Sequence, residues 1–159
     1  MLHELIYLST SVPAEPGQAQ LDEILAVSRK YNAEHGITGV LLHESGQYLQ
    51  LLEGEREAVR RLYYDNIVPD PRHRDARVTL EHAIDKRSFA TWAMGYARLA
   101  DLKPDRDLNL DGYIAGGIAA LDLNEPASYG RRLLIALYYQ MQSKNTWQRV
   151  FGGKYFGLR

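Results

Sequence analysis

The 159-residue chain contains no cysteine. That excludes disulfides, thiolate metal sites and cysteine nucleophiles, and it fits a reducing compartment such as the cytoplasm. A dominant charge is also missing. The 19 Lys and Arg against 20 Asp and Glu leave a formal net charge of -1, so no global field favours nucleic acid or an anionic membrane. No apolar run approaches transmembrane length, and the N-terminal MLHELIYLST has neither the basic segment nor the apolar length of a signal peptide. No glycine-rich loop with the lysine of a phosphate-binding loop precedes a helix; Gly116 and Gly117 lie within a helical pattern and suit close helix packing. The five histidines (His3, His35, His43, His73, His82) never pair at metal-ligand spacing, and no serine sits in a nucleophile elbow. The expectation is a cytoplasmic globular protein with no metal-site or nucleophile-elbow signature, with one domain or one domain plus an appendage.

What is present is a set of short apolar runs broken by turn residues. The most informative reads YLQLLEG, Tyr48 to Gly54. It is mostly apolar or aromatic and ends at a Gly turn, which predicts a strand. Alternate side chains of a strand share a face, so Tyr48, Gln50 and Leu52 point one way and Leu49 and Leu51 the other. One amide is thereby set into a strand that should be buried, where its acceptor and its donors both need partners. The chain also holds eleven tyrosines, an excess that leaves room for one with a chemical task.

In chain order, residues 3–9 predict a first strand, with Leu5, Tyr7 and Ser9 on one face. Residues 12–17 carry two prolines and a Gly and read as a loop. From Gln18 to Asn32, Leu21, Ile24, Leu25 and Tyr31 fall at helix spacing, and Gly36 is a plausible stop. Ser28 and Asn32 lie on that same stripe, a departure from pattern of the kind found at functional sites. Residues 38–43 predict a second strand, and Glu44–Gln47 a hairpin turn into the strand holding Gln50. Residues 55–67 predict a second helix with Val59, Leu62, Tyr63 and Ile67 inward. A charged loop follows at 68–75, then a fourth strand at 76–84 and a fifth at 92–99, where Trp92, Met94 and Tyr96 share a face. The order strand, helix, strand, strand, helix, strand, strand predicts an α+β sandwich of the ferredoxin-like kind. Beyond it, Leu110 to Leu121 and Leu133 to Met141 predict two helices, followed by a tail with Trp147, Val150, Phe151, Tyr155 and Phe156.

The polar or aromatic residues on faces expected to be buried are Tyr7, Ser28, Asn32, Gln50, Trp92 and Met94. Each alone has an ordinary structural use: core packing for Tyr7 and Trp92, gap filling for Met94, backbone capping for Asn32. Together they point to a flat, polar-edged heterocycle held between the first helix and the sheet. Here the chain resembles the BLUF domains, blue-light sensors that use FAD. The resemblance rests on LIYLS, YNAEHGITGVLL, YLQLLEG, IVPDPRHR and RSFATWAMG, in that order over residues 2–99.

That resemblance implies FAD bound non-covalently, with FMN or riboflavin as substitutes. It implies Tyr7 and Gln50 as the photochemical pair, and Ser9, Ile24, Ser28, Asn32, Gln50, Leu52, Ile67, Asp70, Arg72 and His73 as flavin-binding residues. Asn32 would donate to a flavin carbonyl, and Trp92 and Met94 would relay the signal. It implies a bacterial photoreceptor with a sensory domain at 1–100 and an output extension at 101–159. The chain holds no recognisable cyclase or phosphodiesterase segment, so the expected output is an unidentified downstream protein or self-association through the C-terminal helices. The expectation is a homo-oligomer with no nucleic-acid or membrane partner. Two other readings of the residues stay open at this stage. One is a small hydrolase of acylphosphatase type, in which Asp70, Arg72 and His73 converge on a substrate. The other is a flavin module that does not switch.

Overall fold

A computed structural model describes residues 1–90 and 93–98 of the chain. The strands are β1 (Leu2–Ser11), β2 (Thr38–Glu44), β3 (Gln47–Glu55), β4 (His73–Ala83) and β5 (Gly95–Arg98). The helices are α1 (Gln18–Glu34) and α2 (Arg56–Arg61), the latter continued by a π-helical turn over Leu62–Ile67. The five strands form one sheet in the order β4-β1-β3-β2-β5. All neighbours are antiparallel except β2 and β5, which run parallel. This is the expected α+β, ferredoxin-like arrangement.

The central strands read as near-continuous apolar runs because both of their faces are buried. Leu5, Tyr7, Leu41, Tyr48 and Leu52 join the cluster that contains Leu21 and Leu25 of α1, Val59 of α2, and Leu62 and Tyr63. The alternate set, Ile6, Leu8, Val40, Leu42, Leu49 and Leu51, is buried as well. Two turns set the register of the site. Ser45 and Gly46 both have positive φ, 48° and 77°, as a two-residue hairpin between right-twisted strands requires. At the end of α1, Gly36 takes φ 63° and Ile37 N–H returns to Asn32 C=O at 2.8 Å. This six-to-one closure fixes the helix terminus and, with it, Asn32.

Three elements differ from expectation, each for a local reason. The 55–67 helix is not α throughout: Val68 N–H bonds Tyr63 C=O at 2.9 Å, a five-residue step that inserts an extra residue in the turn facing Tyr7. The loop expected at 68–75 is shorter, because His73 and Arg74 already pair with Ser11 and Thr10 of β1. β5 is four residues rather than eight. Among the described residues it pairs only with Val40–His43, and ahead of it the Ala93 and Met94 carbonyls accept from Asn32 and Arg29 of α1. Trp92, the two helices expected beyond residue 99 and the aromatic tail lie outside the described residues.

Candidate functional site

A cleft opens among α1, the π turn, the Asp70–His73 loop and the sheet. Of the residues proposed from the sequence, Tyr7, Ile24, Ser28, Asn32, Gln50, Ile67, Asp70, Arg72 and His73 line it. Leu41, Tyr48 and Leu62, which sequence reasoning placed only in strands or helix faces, line it too.

One wall is a hydrogen-bonded relay. Tyr7 and Gln50 are register partners on β1 and β3, so their side chains leave the sheet together. The Tyr7 hydroxyl donates to Gln50 Oε1, and Gln50 Nε2 donates to Met94 Sδ at 3.4 Å. A single amide therefore joins a phenol to a thioether, and Gln50 is only 5% exposed. Burial, reinforced by Tyr63, Asp70 and Tyr48, pushes the Tyr7 phenol far above its ordinary range, because the phenolate would lose its hydration there. Tyr7 is thus held as a neutral donor. Its ring packs against Tyr63 at 5.2 Å and 56°, the tilted geometry that aromatic pairs favour.

The opposite wall is α1. Asn32 is 0% exposed, and its Nδ2 donates to Ala93 C=O at 2.7 Å. Its Oδ1 has no partner among the described residues, so this cleft-lining residue holds a buried acceptor in reserve. Arg29, which the sequence gave no reason to single out, donates from Nε to Met94 C=O at 3.0 Å. α1 thereby fixes the backbone of the residue whose sulfur meets Gln50.

At the third side, Arg72 grips Asp70 through Nε (2.9 and 3.0 Å) and Nη2 (2.6 Å), a forked, charge-assisted pair. Burial alone would raise the Asp70 carboxyl, but the bonds from Arg72 outweigh it and hold the group below its usual range. His73 Nε2 lies 2.6 Å from Ile67 C=O. A carbonyl only accepts, so this nitrogen carries the proton. Arg72 is thus engaged by Asp70 and His73 Nε2 by the backbone, while His73 Nδ1 is buried without a partner among the described residues.

Ser9 and Leu52 are buried but do not line the cleft; Leu52 lies in the core cluster, and Ser9 sits two residues beyond Tyr7 along β1. Met94 is buried behind Gln50 rather than at the cleft surface. Among the described residues no cluster of His, Asp or Glu could hold a metal ion, and no helix is long and apolar enough to cross a membrane. What the arrangement offers is a cleft lined by an amide whose two ends have opposite hydrogen-bond polarity.

Residues 2–95 match the family model described as sensors of blue light using FAD. The solved dark-state structure of BlrB, a BLUF protein, superposes with a TM-score of 0.61 and 30% identity, covering 85% of this chain and 96% of that one. The blue light- and temperature-regulated antirepressor BluF of Escherichia coli is 27% identical over 96% of this chain and 39% of its own length. A photoactivated adenylate cyclase subunit beta of Euglena gracilis is 30% identical over 83% of this chain and 15% of its own. The chain thus spans well under half the length of these two relatives.

Proposed function

Since this chain belongs to the BLUF family of blue-light sensors using FAD, we propose that its cleft holds the flavin ring and that Tyr7, Gln50 and Met94 form its light-driven switch. Support for the flavin site comes from the unpartnered, fully buried Asn32 Oδ1. A buried acceptor needs a donor, and the imide N–H of a flavin edge is one. Asn32 retains a second amide hydrogen for a ring carbonyl. Ser28 and Arg72 hold further polar atoms, while Ile24 and Ile67 cover apolar surface. FMN and riboflavin share the same ring and are substitutes.

The flavin supplies blue absorption and an excited state that takes an electron; the remaining steps belong to the protein. Tyr7 is placed to give up an electron and to release its proton along the bond to Gln50 Oε1. The two ends of the Gln50 amide have opposite hydrogen-bond polarity, so rotation or tautomerisation rewires its contacts without moving β3. A turned amide directs an N–H into the cleft, which lowers the transition energy and shifts absorption slightly to the red. The same turn takes the donor away from Met94 Sδ. Met94 then reports the change to β5, and Trp92, in the family's relay, exchanges with it. Residues 1–100 act as the sensory unit and 101–159 as the output extension, through a downstream partner or self-association.

The observation that carries this reading is the unbroken series Tyr7, Gln50, Met94. The test is an absorption spectrum of the purified protein in the dark and just after blue light. A flavin spectrum with a small reversible red shift is expected, and Gln50→Leu should abolish the shift while retaining flavin. A colourless protein that cannot be reconstituted with FAD would refute the flavin site. A yellow protein with no shift would refute the switch.

A further inference from the structure

We propose that Tyr48 is an additional ligand-binding residue, whose hydroxyl donates to an oxygen of the bound flavin. The inference rests on the flavin reading above and adds a contact that reading does not use. Tyr48 lines the cleft and is only 4% exposed, yet its hydroxyl has no hydrogen-bond partner among the described residues. Buried hydroxyls are rarely left so, because desolvation without a replacement bond is costly.

No neighbouring side chain supplies the bond in this structure. Ser9 is the register partner on β1, and its own Oγ is also unpartnered. On the other side His43, the register partner on β2, stacks obliquely with ring centroids 5.1 Å apart, and its Nε2 is unpartnered as well. Ser9 and His43 do not line the cleft, whereas Tyr48 does. On the proposal, the missing partner of Tyr48 is supplied by what the cleft contains.

Its chemistry follows from the phenol. Burial is the main cause that pushes the Tyr48 group up to about 12, with Tyr96 and Asp70 adding to it and Arg72 opposing. At neutral pH it is a donor, and it takes an acceptor oxygen. The acceptor oxygens that a flavin offers are its ring carbonyls and the hydroxyls of the ribityl arm.

Tyr48→Phe deletes this one oxygen and keeps the ring. In the flavin-free protein the substitution removes an unsatisfied hydroxyl, so the melting temperature should stay equal or rise. In the presence of FAD the order should reverse, with the dissociation constant rising about 2- to 10-fold, the range of one neutral hydrogen bond, and the FAD-induced gain in melting temperature shrinking accordingly. The 13Cζ resonance of Tyr48, observed in protein labelled at that carbon, should move when FAD is added to the wild type. A purely structural tyrosine would lower flavin-free and flavin-loaded stability alike. Unchanged FAD affinity in Tyr48→Phe, or an unmoved resonance, would overturn the inference while leaving the flavin reading intact. Failure of the wild type to bind FAD would overturn both.

Discussion

Glu53 provides the most quantitative test of how the site is held. It lies on β3 three residues beyond Gln50, on the opposite face, and is 0% exposed. Its carboxylate accepts from Ser88 N–H at 2.6 Å, Phe89 N–H at 3.0 Å and Thr38 Oγ1 at 3.4 Å. Arg87 completes the clip by donating to Thr38 Oγ1, Glu53 C=O and Gly36 C=O at 2.8, 2.7 and 2.6 Å. The strand that carries Gln50 thus anchors the segment that leads to Met94. Glu53→Ala takes the acceptor from two backbone amides, at roughly 1–3 kcal/mol each. Relief of a buried carboxylate returns part of that, since burial is the leading influence on Glu53 and raises its pKa against the bonds it accepts. The net loss should be about 2–4 kcal/mol, read from the urea midpoint at unchanged slope. Amide exchange at Ser88 and Phe89 should accelerate beyond the global loss. The sign with pH is also fixed. A raised folded pKa contributes stability that is fully present below the unfolded carboxyl value, about 4.3, and is lost as pH rises through the folded value. Glu53→Gln should therefore gain on the wild type as pH rises across that window and hold its gain above it. A Glu53→Ala loss below about 0.5 kcal/mol, far under the cost of two lost amide bonds, or a gap independent of pH, would refute the reasoning.

Two further outcomes follow from the geometry. A Cβ at Gly39 would stand 2.0 Å from the Leu51 carbonyl oxygen, a backbone atom of the neighbouring strand. Gly39→Ala should therefore cost at least about 3 kcal/mol, in the exceptional range for single substitutions, or prevent folding; a urea midpoint near that of the wild type would contradict this close approach. The Asp70 carboxyl is held low by Arg72, so its contribution is present above the unfolded value, about 3.9, and is lost as pH falls through the folded one. Flavin retention should be flat between about pH 5 and 8 and decline only below about 4 in the wild type, while Asp70→Asn should weaken retention across the whole range; both are read by gel filtration at fixed pH.

The parts of the fold visible in the sequence were those where one period dominates. Alternation in LIYLS and YLQLLEG placed β1 and β3, and the Leu21, Ile24, Leu25 stripe placed α1, because burial on a fixed face imposes that spacing. Ser45–Gly46 announced its hairpin through the residue types that accept positive φ. The π turn was not legible. Its extra residue leaves Leu62 and Tyr63 both buried, as an α-helical stripe would, and only the Val68 to Tyr63 bond distinguishes the two. Nor was the start of β5, which is decided by which groups accept from Asn32 and Arg29 and not by any pattern within residues 92–99.

The site was legible to the extent that buried polar residues stand out, and that criterion alone does not separate function from structure. Gln50, Asn32 and Glu53 are all buried polar residues, and two of them lie on the same strand. Glu53 is engaged with a loop of its own chain by donors on both carboxylate oxygens, which makes it an anchor. Gln50 reaches two side chains through the opposite ends of one amide, and one of those partners is a weakly accepting sulfur. In the proposed switch this weak bond is the one that the turning amide gives up. Asn32 and Tyr48, both of which line the cleft, each keep one buried atom without a partner among the described residues. Tyr48 escaped the sequence because a strand tyrosine is most often core, and its ring does belong to the core cluster. Only its oxygen departs from that role. Buried atoms without a partner also occur away from the cleft, at Ser9 Oγ and His43 Nε2, so it is the coincidence of an unpartnered atom with a cleft-lining residue, more than burial or polarity, that singles out Asn32 and Tyr48.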